Sequence, residues 1–405
     1  MVNIDFQRAR NALKTNIYSL YVIKIAKWFN LIMPTVVLFY QSNGMSMQDI
    51  FLLKSIYSVA IVLFEIPSGY LADAWGRRIT LILGAVLGAL GFLIYSINQV
   101  YIGFVAAEII LGLGHSFISG ADTAMLFDTL KSENRAYLYL KQEGRITACG
   151  NFAEALAGIA GGLLATLSLR APFYVQTLVA ASAIPAALLL KEPALHEIRK
   201  KQTFTRLMQT IHHTLLRDSG LRSAILISSL TGTATLTFAW FVQPYFKAAG
   251  LPLPFYGLMW TLLNLSVGIS GLFAAGIEKK LSEKNSLIFI VLLISAGYFL
   301  AGKIISRWGI LLLFFFYGVR GLATPILKAY VNHRCESEVR ASILSLRNFI
   351  IRINFAVISP ILGWITDTCS LKATLWLGGA MYLAAAGTIL FGSFTFPVGN
   401  QFLRK

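Results

Sequence analysis

Glu108 and His115 stand seven residues apart in an otherwise apolar stretch, 101–130, so on a helix both project from one face, two turns apart. Arg320 sits near the middle of another such stretch, 309–331. An ionisable group at the centre of a membrane span costs at least about 2.5 kcal/mol, so each of these is a functional hypothesis by default. A buried guanidinium can anchor an anionic or zwitterionic solute, and a buried carboxyl group can trade its charge for a proton. Glu108, Asp122 and Glu154 are therefore the proton-coupling candidates, and Arg320, His115, Glu108 and Lys27 are charged candidates for a solute site. Trp240 and Asn264 offer a stacking face and a hydrogen-bonding amide for the same purpose. The competing reading is structural: an ion pair for Arg320, hydrogen-bonded burial for Glu108 and His115, and lipid contact for the aromatics. Lys24 reads as snorkelling to the interface, and Arg347 and Arg352 as gating or headgroup contacts. The charges are unevenly placed. Glu65, Glu108, Asp122 and Glu154 fall in the first half, and Arg320, Lys328, Arg347 and Arg352 in the second.

The elements that hold these side chains are apolar runs of bilayer-spanning length. In order they cover 17–40, 50–71, 80–97, 101–130, 146–167 and 172–190, then 221–246, 255–277, 287–305, 309–331, 343–365 and 371–394. Backbone polar groups in lipid must be satisfied within the segment, so these runs are helices. The expected fold is an all-α membrane protein of about twelve transmembrane helices in two six-helix pseudo-symmetric bundles. One bundle covers 1–192, a cytoplasmic linker 193–220, and the second bundle 221–405. The linker carries a short amphipathic pattern at Phe204, Leu207, Met208, Ile211 and Leu215, and its His212-His213 pair reads as a solvated face rather than a metal site. Arg135-Ala136 after the fourth run and Arg340-Ala341 after the tenth suggest a weak internal repeat.

Composition agrees with this reading. Hydrophobic residues make up 56% of the 405 positions and charged residues only 13%, with a mean hydropathy of +0.68. A soluble surface needs about twice that charged fraction. The formal net charge of +17 does not indicate nucleic-acid binding, because Lys and Arg gather in the loops of one side, as positive-inside topology requires. That asymmetry places both termini in the cytoplasm. Cys149, Cys335 and Cys369 are scattered and give neither a disulfide framework nor a metal site. The polar N-terminus precedes a retained helix rather than a cleaved signal. No cofactor or metal is expected, and no HExxH, GxSxG or Walker A pattern supports an enzyme or an ATP-driven pump.

Between the second and third runs stands Gly69-x-Leu71-x-Asp73-x-x-Gly76-Arg77-Arg78, preceded by Glu65-Ile66-Pro67-Ser68. This pattern resembles the loop signature of the major facilitator superfamily, and the span number and central basic loop extend the similarity over essentially the whole chain. The Glu65–Gly69 approach and the stretch from Ser119 to Asp128 are similar to a bacterial multidrug-efflux-like branch of that family. The resemblance implies secondary active transport of a small organic molecule by alternating access, proton-coupled and outward. It also implies a cytoplasmic gate built from Glu65, Gly69, Asp73, Gly76, Arg77, Arg78, Asp128 and Arg145. Two positions depart from the family pattern. Glu108 stands where many proton-coupled members carry an arginine, and Ala157-Gly158-Ile159-Ala160-Gly161-Gly162 lacks the proline of the drug-antiporter element. The expected setting is a bacterial inner membrane, with the protein a monomer among lipids and protons as coupling ion. Rival readings are an importer of a siderophore or other anionic or zwitterionic metabolite, and a transporter-like receptor or lipid flippase.

Overall fold

Pro34 interrupts the first apolar run. In the computed structural model, which describes residues 2–193, 219–281, 283–335 and 340–395, the chain breaks just ahead of it. Helix α1 (Val2–Trp28) stops, a turn follows, and α2 (Val36–Ser42) resumes. The remaining helices are α3 (Met47–Trp75), α4 (Arg77–Ile97), α5 (Tyr101–Ile118), α6 (Ala121–Ser132), α7 (Tyr139–Leu167), α8 (Ala171–Ala181) and α9 (Ala183–Leu189). After residues 194–218 come α10 (Ser219–Ala248), α11 (Phe255–Leu272), α12 (Ala274–Lys280), α13 (Glu283–Lys303), α14 (Ile310–His333), α15 (Arg340–Thr368) and α16 (Leu371–Thr395). No strand occurs among the described residues. Among the described residues, eleven stretches from Met47 onward are long and apolar enough to cross a bilayer, with α5–α6 and α8–α9 each counting as one bent span. The amphipathic linker pattern and His212-His213 lie outside the described residues.

The first span is thus two helices where hydropathy suggests one over 17–40. Proline lacks an N–H and pushes the residue before it out of helical geometry, but the apolar run continues across the break and hides it. A broken backbone inside a membrane needs protein partners. Here the Leu31 N–H donates to Gln176 Oε1 at 2.8 Å, and Gln176, on α8, is buried. Replacing Gln176 by leucine is expected to orphan that N–H and cost about 1–3 kcal/mol, read as a lower thermal midpoint of the purified protein. A midpoint equal to wild type would mean that water satisfies the break.

The chain gathers into two compact units. The first comprises residues 1–45, 52–199 and 252–261, and the second 46–51, 200–251 and 262–405. In the first unit, small residues let helices touch backbone to backbone, as membrane packing favours. A Cβ at Gly112 of α5 would lie 2.7 Å from that of Ala60 on α3, and one at Gly114 would lie 3.1 Å from the Gly88 nitrogen on α4. Helix α5 therefore sits flush against both neighbours, and only at that distance can a side chain on α5 reach partners on α3 and α4 together. Below this seam, Leu81, Ile118, Met125, Leu126, Leu130 and Ala187 are part of an apolar core that joins α1, α4, α6, α7 and α9. In the second unit, Asp367 near the end of α15 accepts the N–H groups of Met47 at 2.9 Å and Gln48 at 2.8 Å, which caps the first turn of α3.

Candidate functional site

Glu108 is 1% exposed and forms a direct ion pair with Lys54 of α3, itself 9% exposed. Both groups lie within the first unit. Burying one such charge alone costs several kcal/mol, and the pair persists because hydrogen bonds complete it. Tyr95 of α4 donates to Glu108 Oε1, and Lys54 Nζ donates to the Tyr40 hydroxyl of α2 at 2.8 Å. The Tyr40 oxygen lies 2.9 Å from that of Tyr95 and 3.2 Å from Glu108 Oε1. Each phenol has one proton. Tyr95 spends its proton on the carboxylate, so the Tyr40 proton is best used on the Tyr95 oxygen. The contacts from Lys54, Tyr95 and Tyr40 all converge on Oε1. The Lys54 ammonium also stands 5.0 Å from the Tyr40 ring centroid and 5.9 Å from that of Tyr95, within cation–π range. Four helices thus meet at one charge pair.

The outer rim of this network is held by Arg170, which donates to the carbonyls of Ser96 at 3.1 Å and Asn98 at 2.7 Å and to Asn43 Oδ1 at 3.0 Å. Those bonds tie the ends of α2 and α4, the helices that carry Tyr40 and Tyr95. One turn along α3 from Lys54, the Tyr57 hydroxyl lies 3.3 Å from His115 Nδ1. Glu108 and His115 therefore share a face of α5, and each meets a partner on α3.

A second cluster lies where α4 begins. Gly76 has φ 92°, a left-handed conformation natural only to glycine, and it turns the chain from α3 into α4. Arg77 pairs with Asp128 of α6 and donates to the Ala124 carbonyl at 2.7 Å. Arg78 donates to the Leu188 carbonyl at 3.0 Å. The first amides of α4, at Arg77 and Arg78, donate to the Glu192 carboxylate at 3.0 and 2.8 Å. Glu192 thus caps the N-terminus of α4, and the Asp73 side chain is exposed. Lys24 adds longer contacts to Asp122 at 3.7 Å and Glu143 at 3.9 Å, joining α1 to α6 and α7. Lys24 is largely buried and paired where the sequence suggested snorkelling. Glu65 and Arg145 are exposed and lie outside the contacts described above, and Gly69 has open space around it.

The other candidates lie outside these two clusters. Arg320 is partly buried with its guanidinium 5.6 Å from the Tyr317 ring, and pairs with no carboxylate among the described residues. Lys27, Glu154, Trp240 and Asn264 are each partly buried. No group of His, Cys, Asp or Glu among the described residues is arranged to hold a metal ion. Sequence reasoning missed Lys54, Tyr40, Tyr95 and Glu192. Lys54 carried a signal, since it is the single basic residue inside the run 50–71. The two tyrosines and the distant Glu192 carried none.

Comparison with known proteins identifies the frame that carries this site. The model of the Major Facilitator Superfamily matches residues 25–357. The chain is 22% identical over 348 residues to the uncharacterized MFS-type transporter YxaM of Bacillus subtilis (strain 168), covering 84% of this chain and 86% of that one. It is 26% identical over 165 residues to Multidrug resistance protein 2 of the same organism, covering 40% of each. Among solved structures, the nucleoside transporter NupG (D323A mutant) superposes with a TM-score of 0.75 at 13% identity, over 96% of this chain and 99% of that one. A D-xylose-proton symporter gives 0.71 at 16% identity, over 93% and 96%. At such identities the structural likeness speaks for the fold, while the family match spans most of the sequence: the chain belongs to the Major Facilitator Superfamily and is a multi-pass secondary transporter of small molecules.

Proposed function

We propose that the protein is a proton-coupled exporter of a small organic molecule, acting as a monomer in a bacterial inner membrane with both termini in the cytoplasm. The observation that carries this reading is the buried Lys54–Glu108 pair. A proton taken up at Glu108 cancels the carboxylate charge and leaves Lys54 without its counter-ion. Lys54 must then lean on the Tyr40 hydroxyl and ring, so the bonds among α2, α3, α4 and α5 rearrange. Loss of the proton to the other side restores the pair. One proton thereby biases helix packing between two states, which is what coupling requires. Asp122 and Glu154 are secondary proton candidates. The Arg77–Asp128 pair and the Glu192 cap are the fixed side of a cytoplasmic gate that includes Gly69, Asp73, Gly76 and Arg78. Arg320, His115, Lys27, Trp240 and Asn264 remain the proposed solute contacts.

The outward direction draws on the partial likeness to Multidrug resistance protein 2 and on the residues 65–78 and 119–128. The inward rival, uptake of an anionic or zwitterionic metabolite, is favoured by the cations of the second half, Arg320, Lys328, Arg347 and Arg352. Purified protein in liposomes, with a pH-sensitive dye inside, separates them. Proton movement on adding a transported solute is the expected result. Movement with cationic dyes would favour multidrug export and remove Arg320 as an anchor, movement only with organic acids or zwitterions would favour metabolite carriage, and solute flux without any proton movement would end the coupling reading.

A further inference from the structure

The second unit buries a guanidinium that no carboxylate neutralises. Arg347, two turns into α15, is 7% exposed, and among the described residues it makes no ion pair. Its hydrogen bonds go to neutral groups: Nε donates to Ser228 Oγ of α10, and Nη1 to Asn348 Oδ1 at 3.2 Å. Ser228 is itself fully buried. The setting is rigid. Ser229 Oγ lies 3.4 Å from the Arg347 carbonyl, and a Cβ at Gly232 would lie 2.5 Å from Ile351 Cδ1, so α10 packs closely along α15. Lys328 of α14 is an exposed cation whose charge is coupled to that of Arg347. By contrast, the buried cation of the first unit, Lys54, has Glu108.

A buried charge without a counter-ion is costly, and neutral hydrogen bonds orient it without neutralising it. Nε and one Nη1 proton are spent on these neutral oxygens, and no hydrogen bond among the described residues takes the Nη2 protons. A guanidinium edge with protons to spare matches a carboxylate or a phosphate, which arginine binds bidentately. We propose that Arg347 is an anion site, taking the carboxylate or phosphate of a bound molecule on its Nη1–Nη2 edge with Lys328 as an auxiliary charge. This rests on reading the chain as a carrier of small molecules and names the chemical class that such a carrier would recognise. The same chemistry can come from a free solute or from an anionic lipid headgroup.

The test uses the full chain, purified in detergent, and follows its thermal midpoint at constant ionic strength. Benzoate and phenyl phosphate are compared with chloride, and dihexanoyl-phosphatidylglycerol with dihexanoyl-phosphatidylcholine. Saturable stabilisation by an organic anion is the expected result, with apparent affinity at least about tenfold weaker in Arg347→Gln and intermediate in Arg347→Lys. Should Arg347→Gln fail to fold, Ser228→Ala keeps the charge but frees the guanidinium plane, and a several-fold weakening is expected. Stabilisation by phosphatidylglycerol alone, lost in the same variants, upholds the anion site and assigns its occupant to lipid. No response to any anion beyond chloride, or a response undiminished in both Arg347→Gln and Ser228→Ala, overturns the proposal. The anion response is read in detergent with no proton gradient, so failure of the anion site and failure of proton coupling are read separately.

Discussion

Lys54→Met is expected to cost the folded protein about 3–5 kcal/mol, among the largest single-substitution losses that the first unit can show. The substitution keeps the volume of the side-chain stem and removes only the ammonium, leaving the carboxylate of Glu108 in a site that is 1% exposed. Tyr95 and Tyr40 still offer hydroxyls, but a hydroxyl does not cancel a charge. The penalty falls on the ionised carboxylate. Pairing the change with Glu108→Gln removes the charge from both sides, and Lys54→Met/Glu108→Gln is expected to recover most of the loss. The measurement is a double-mutant cycle on thermal midpoints in detergent, whose interaction term reports the pair. Equal midpoints for Lys54→Met and wild type would show that the pair contributes nothing. A double variant as weak as the single one would show that Lys54 matters through packing alone.

Much of the fold is legible because hydropathy is a local property. Each run beyond the first coincides with a stretch long and apolar enough to cross a bilayer, and the glycine turn at Gly76 sits where the Asp73–Arg78 pattern puts it. The first span is the exception. Leu31 to Tyr40 reads as continuous apolar sequence, and only the acceptor on Gln176, 145 residues away, reveals how the break at Pro34 is satisfied. The site shows the same division. Glu108 stands out because a carboxylate interrupts an apolar run. Lys54 interrupts a run as well, but its signal is weaker, because a lysine one turn inside a run reads like one that snorkels to the interface. Tyr40 and Tyr95 are lost among sixteen tyrosines. Glu192 lies 115 residues beyond the α4 amides that it caps. Side chains whose roles depend on a distant partner are visible only once the chain is folded.

Glu108→Gln is expected to abolish uphill, gradient-driven transport while leaving exchange of solute across the membrane at the wild-type order of magnitude. The amide is nearly isosteric, neutral and still able to accept from Tyr95, so it mimics the protonated carboxyl group. What it cannot do is gain and lose a proton, and a carrier with a fixed charge at this position has one state where the coupled cycle needs two. In liposomes, accumulation driven by an imposed pH gradient should fall to that of protein-free vesicles, whereas counterflow of labelled against unlabelled solute should persist. Full accumulation by Glu108→Gln would remove Glu108 from coupling and turn attention to Asp122 and Glu154. The single variant leaves Lys54 charged and without its counter-ion, so low activity alone would be ambiguous. The double variant Lys54→Met/Glu108→Gln resolves this, because it carries neither charge and is expected to be stable yet equally uncoupled. A double variant that regains gradient-driven accumulation would mean that the pair only holds α3 to α5, and that the proton passes elsewhere.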